Sequence, residues 1–169
     1  LIVTDNPETW PLDIPGVDEP AIGRIVSLPD DGRPVLNDVH LRAGRWPVAD
    51  NEVLANEAFA KAQGYREGST VSALLNGRKR MLTITGIGLS PEFIYSIRGG
   101  ATLLPDDKRF GVLWMPRKGL ENAFDMEGAF NNVSLKLSRD ANGQEVLRRL
   151  DTVLERYGGF GANLRANQL

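Results

Sequence analysis

The chain has 169 residues, enough for one domain or two small lobes, and its 41% hydrophobic and 25% charged residues are ordinary values for a globular protein. A net charge of -2, with only Arg78, Lys79 and Arg80 forming a basic run, leaves no strong field to recruit nucleic acid or an anionic membrane surface. The absence of cysteine excludes disulfides, thiolate nucleophiles and cysteine metal sites, and a single histidine, His40, excludes a histidine-rich metal centre within one chain.

Ile2 to Thr4 is predicted as a strand, and Asn6 to Pro20, with its four prolines, as an irregular connection. Ala21 to Leu28 alternates, placing Ile22, Arg24, Val26 and Leu28 on one face of a strand and Ile25 on the other. Pro29-Asp30-Asp31-Gly32 is turn chemistry. Val35 to Arg42 is a second strand, followed by Ala43-Gly44-Arg45-Trp46-Pro47. Glu52 to Ala55 reads as a short apolar strand. Asn56 is then expected to cap a helix from Glu57 to Gln63, with Gly64 at C′.

Val71 to Leu75 and Met81 to Ile87 are expected to form a hairpin around Asn76-Gly77. Ser90 to Phe110 reads as an extended loop, Gly111 to Met115 as a buried strand, and Arg117 to Phe124 as a short helix after Pro116. Asn132 to Ser138 alternates as a strand, with Val133, Leu135 and Leu137 on one side. Gln144 to Tyr157 carries Val146, Leu147, Leu150, Val153, Leu154 and Tyr157 at helical spacing. Asn142 and Glu145 fit a capping box. The elements together predict an α+β fold.

Residues that could carry chemistry are few. Gly86-Ile87-Gly88 lacks the third glycine and the following helix of a dinucleotide fingerprint, so it reads as a glycine-bent strand end. Asp18-Glu19, Asp30-Asp31 and Asp106-Asp107 sit in turn contexts, although a carboxylate-based hydrolase would need two such acids facing one another across a cleft. His40, flanked by Val39 and Leu41, reads as a solvent-edge or hydrogen-bonded residue, since no activated-serine context accompanies it. No catalytic, cofactor-binding or metal-binding residue emerges. Phe93, Ile94, Tyr95, Ile97 and Arg98 in the long loop form a candidate partner-contact segment, or else a packing plug. No stretch approaches the ~20 apolar residues that cross a bilayer, and a chain opening on Leu1-Ile2-Val3-Thr4 without a signal peptide is expected to be an excised fragment.

The order of short motifs between Leu41 and Ile97 resembles the periplasmic core domain of MacB/FtsX-like ABC transporter permeases. These motifs are Gly44-Arg45-Trp46-Pro47, Glu52 to Ala60, the turn from Gly64 to Gly68, and Thr85-Gly86-Ile87. The stretches from Arg109 to Leu137 and from Tyr157 to Leu169 resemble one branch of the same permeases. The resemblance implies two lobes. An inserted strand-rich lobe with one short helix would span residues 35–115, and a porter-like α+β lobe would combine 1–34, shortened at its N-terminus, with 116–169. It further implies an extracytoplasmic (periplasmic) domain of a bacterial inner-membrane protein, held by flanking membrane segments, with no catalytic residues and no cofactor of its own. ATP would be bound by a separate cytoplasmic ATPase subunit. The expected partners are that ATPase, a second permease subunit, and a periplasmic protein or a lipid or lipoprotein cargo. A free-standing periplasmic ligand-binding or assembly module is the alternative.

Overall fold

The computed structural model describes residues 2–3, 9–14, 21–30, 38–93, 107–129 and 133–158. Nine strands and three α-helices follow one another among them. β1 (Ile2–Val3), β2 (Thr9–Asp13), β3 (Ala21–Leu28), β4 (His40–Gly44) and β5 (Glu52–Asn56) precede α1 (Glu57–Gln63). β6 (Thr70–Leu75), β7 (Arg78–Leu89), a 3-10 turn (Pro91–Phe93) and β8 (Phe110–Pro116) lead to α2 (Arg117–Phe124). β9 (Val133–Ser134) and α3 (Gly143–Leu154) complete the order.

Seven strands form one sheet in the order β4-β7-β5-β8-β3-β2-β6, and β6 also pairs with β7. The sheet therefore closes into a ring of six strands, with β4 added to the C-terminal half of β7. Two neighbours are parallel, β3 with β8 and β5 with β7, and the other pairs are antiparallel. β1 and β9 form a separate antiparallel pair. The chain divides into two compact units, Leu1–Ser134, which holds the ring, and Leu135–Leu169, which holds α3.

This mixed architecture matches the α+β expectation, while the ring crosses the lobe boundaries expected at residues 34 and 115. β3 pairs with β8 along its whole length, from Ile22–Phe110 to Leu28–Pro116, and β2 joins β3 to β6. Backbone hydrogen bonding thus places strands from 1–34 and from 35–115 in a single sheet.

Strand alternation explains the core. β8 is buried throughout because both its faces are covered. Leu113 and Met115 point into the ring, where they meet residues from all the ring strands, among them Leu12, Ile25, Val53, Ala73, Leu82 and Ile84. Phe59 and Ala60 of α1 and Leu120 and Ala123 of α2 join the same cluster. Val112 and Trp114 point outward and pack with Leu54, Val26, Leu28 and Val39. Ile22, Val26 and Leu28 share this outer face and Ile25 the inner one, as the sequence alternation requires.

Local signals mostly fold as read. Asn76 and Gly77 both adopt positive φ, 48° and 71°, the conformation that lets a two-residue turn follow strand twist. The hairpin strands are longer than the apolar runs suggested, because β7 continues to Leu89 to serve β5 and β4. α2 spans the expected residues.

Four expectations are corrected. Thr9–Asp13 is a strand despite Pro11. Its ladder to β6 involves only Leu12 and Asp13, so the missing N–H of Pro11 lies where no β6 partner is paired. The strand expected over Val35 to Arg42 instead runs from His40 to Gly44, with Asp38 and Val39 outside it and 35–37 outside the described residues. Asn56 holds the N-cap position of α1 but its side chain does not cap the helix: its buried Oδ1 accepts the backbone N–H of Val112 at 2.8 Å, a donor that the short β5–β8 ladder leaves over. The strand from Asn132 to Ser138 is only Val133–Ser134, and Leu135 to Ser138 are non-helical and unpaired in any strand.

α3 begins where its cap predicts, with Asn142 Oδ1 accepting from Gln144 and Glu145 N–H at 3.1 and 3.2 Å. Glu145 forms ion pairs with Arg148 and Arg149, at 2.6 and 2.9 Å. The helix ends at Leu154 and tightens into a 3-10 turn over Glu155–Tyr157.

Candidate functional site

The motif residues converge on one corner of the ring. Gly44 ends β4, Glu52 opens β5, and Thr85 and Gly86 lie in β7 between them. The Arg45 backbone N–H donates to Thr85 O at 2.9 Å, and Thr85 Oγ1 donates back to Arg45 O at 3.2 Å. Arg45 grips Glu52 in a two-pronged pair, Nη1 to Oε2 at 2.9 Å and Nη2 to Oε1 at 2.5 Å. Glu52 Oε2 also accepts the backbone N–H groups of Val48 and Ala49, at 2.9 and 3.2 Å.

Four donors on one carboxylate hold it in its charged form. The Arg45 guanidinium, then the Val48 N–H, pull the Glu52 carboxyl down to about 2 from an ordinary 4.5. Gly86 is the steric requirement of the corner. A Cβ there would lie 2.7 Å from Arg45 O, 2.8 Å from Ala43 O and 2.9 Å from the Leu54 side chain. The glycine pair therefore bends nothing toward a phosphate. It lets β4 and β5 approach β7 from both sides. The corner locks the loop from Trp46 to Asn51; it has the chemistry of a structural clamp.

The candidate contact segment is described at Phe93 alone, and Ile94, Tyr95, Ile97 and Arg98 lie outside the described residues. Phe93 is half-buried. Its ring sits edge-on to Trp114, with centroids 6.1 Å apart, and the Arg24 guanidinium carbon lies 5.2 Å from its centroid. Phe93 thus anchors the start of the segment onto the outer apolar cluster.

Several of the remaining polar residues are engaged structurally, while Asp18, Glu19, Asp31 and Asp106 lie outside the described residues. Arg78 pairs with Asp125 at 3.9 Å, Lys79 with Asp13 at 2.7 Å, and Arg80 donates to Asn122 O at 3.1 Å, so the basic run is tied down locally. His40 is exposed on β4 opposite Leu89. Asp30 Oδ1 accepts the Lys118 backbone N–H at 3.2 Å, an end-cap for α2 supplied from beyond β3. Asp50 Oδ2 accepts from Asn122 Nδ2 at 2.7 Å. Both aspartates are exposed. Among the described residues no cluster of three metal-ligating side chains occurs, and no helix is long and apolar enough to cross a membrane.

Sequence reasoning missed the anchoring role of Glu52. Its signal is an acid placed seven residues after Arg45, with two loop N–H groups in reach between them.

No protein-family profile and no curated protein matches the chain. Among solved structures, the periplasmic region of MacB from Actinobacillus actinomycetemcomitans is similar, with a TM-score of 0.51 and 18% identity over 93% of this chain and 67% of that one. The chain shares the fold of that periplasmic region. A permease-protein domain from Porphyromonas gingivalis aligns with a TM-score of 0.42 and 11% identity, over 91% of this chain and 67% of that one.

Proposed function

We propose that this chain is a non-catalytic, extracytoplasmic domain of a bacterial ABC transporter permease. The observation that carries the reading is the shared fold with the MacB periplasmic region, reached at only 18% identity. The motif corner supports it: the residues that resemble the permease pattern form a rigid clamp, which suits a part that transmits movement. In this reading ATP is bound by a separate cytoplasmic ATPase, and the domain holds no cofactor. It works beside a second permease subunit, with its parent in the inner membrane, and passes conformational change to a periplasmic protein or to lipid or lipoprotein cargo.

The test is the topology of the parent protein. Reporter fusions on either side of this domain, in the full reading frame, are expected to place it outside the cytoplasm between membrane segments of about 20 apolar residues. A parent without such segments, or a domain facing the cytoplasm, overturns the proposal.

A further inference from the structure

Val48 is the most exposed large apolar side chain among the described residues, at 80%. A lone exposed valine needs no explanation, but this one stands on a fixed support. Its N–H is bound by Glu52, the next N–H is bound by the same carboxylate, and Ala49 O accepts from Glu52 N–H at 3.0 Å. Every one of these bonds uses backbone atoms of residues 48 and 49. The fold thus requires the loop to be held and places no demand on the side chain at 48.

Beside Val48 lies a depression of about 250 Å³, lined by Pro29, Asp30, Pro47, Asp50, Pro116 and Lys118. Small-molecule sites usually span ~300–1,000 Å³, so this one suits a single side chain better than a metabolite. Its chemistry is lopsided. Three of the lining residues are prolines, which offer flat apolar rings and no N–H donor. Asp30 and Asp50 each commit one oxygen inward, to Lys118 N–H and to Asn122, through Oδ1 and Oδ2 respectively. The wall is therefore rich in acceptors and apolar surface, with the Lys118 ammonium as its one cation among these residues.

We infer that this depression docks an arginine side chain of a partner protein. The methylene stem lies along the proline rings, as long basic side chains do on apolar surface. The guanidinium donates to the oxygens that Asp30 and Asp50 do not commit to Lys118 N–H and Asn122. Val48 packs against an apolar neighbour of that arginine. The inference rests on charge complementarity and shape at this site and stands independently of the permease reading.

The experiment is an amide NMR titration of the 169-residue chain with N-acetyl-leucyl-arginine amide, run beside the uncharged isostere in which citrulline replaces arginine. The expected result is a saturable shift confined to Val48, Asp50 and the start of α2, seen with the arginine peptide and about fivefold weaker in affinity with the citrulline one. The double variant D30N/D50N keeps an acceptor for Lys118 N–H and for Asn122, so it is expected to keep its melting temperature. It is expected to weaken binding about fivefold, the range of an exposed charge pair. Val48→Ser is expected to leave the fold unchanged and weaken the same peptide. Equal responses to both peptides, shifts spread away from the depression, or full binding by the folded D30N/D50N variant overturns the inference.

Discussion

The two apolar clusters of the ring differ in what closes them. The inner cluster is enclosed by its own strands, with Phe59 and Ala60 of α1 and Leu120 and Ala123 of α2 packed into it. The outer cluster lies on three adjacent strands, β5, β8 and β3, and a sheet face cannot cover itself. Val39, Leu41, Trp46 and Phe93 supply cover from the residue before β4, β4 itself, the clamped loop and the 3-10 turn. Interior order is thus a property of the ring, whereas exterior order depends on segments that must be held in place. The Arg45–Glu52 clamp, directly beside Trp46, is one of the holders.

The largest expected effect tests the outer cover. Trp114 is 2% exposed, and Trp114→Ala is expected to cost about 4 kcal/mol, read from the urea midpoint at unchanged slope. Leu82→Ala, inside the ring, is expected to cost about 3 kcal/mol, because enclosing strands cannot collapse into the space left. If Trp114→Ala costs less than Leu82→Ala, the exterior cover is looser than its burial indicates and the comparison fails.

Much of this contrast was legible in the sequence and some was not. The alternation of β3, the Asn76-Gly77 turn, α2 and the cap of α3 are local signals, and local physics decides them. Ring closure was not legible, because it joins residues far apart in the chain, such as Asp13 with Ser72 and Ile22 with Phe110. Pro11 hid β2, since a proline argues against a strand unless one side of the strand is unpaired at that point. The composition of Asn56 pointed to a helix cap, and only the approach of Val112 reassigns its side chain. The motif order was readable as a resemblance. Its physical role depends on Thr85 meeting Arg45 across 40 positions, which no local pattern encodes.

The clamp offers a sharper test of how the exterior is held. Glu52→Gln keeps the shape but loses the charge that draws four donors, and is expected to cost about 1–2 kcal/mol given the exposure of Arg45. Its pH dependence has a definite sign. The folded carboxyl titrates at about 2, below its ordinary 4.5, so its contribution is complete above the ordinary value and fades as pH falls toward the folded one. The stability gap between wild type and Glu52→Gln should therefore be constant near neutrality and narrow on acidification below about 4.5. A gap that stays constant down to the acid transition would mean that the charge adds nothing to the clamp.

The smallest effect decides what Phe93 is for. Besides its packing on the outer cluster, it makes one edge-on ring contact and one with a guanidinium, so Phe93→Ala is expected to cost about 1 kcal/mol beyond the loss of partly buried area. A double-mutant cycle locates that energy. Phe93 and Trp114 touch, and their changes should couple by about 0.5–1.5 kcal/mol. Phe93 and Leu82 belong to different clusters, and their changes should add. Coupling to Leu82 as strong as that to Trp114 would merge the two clusters into one cooperative core. Phe93→Ala with no loss of stability would detach Phe93 from the cover, and the contact role expected for its segment would then fit this residue better than packing does.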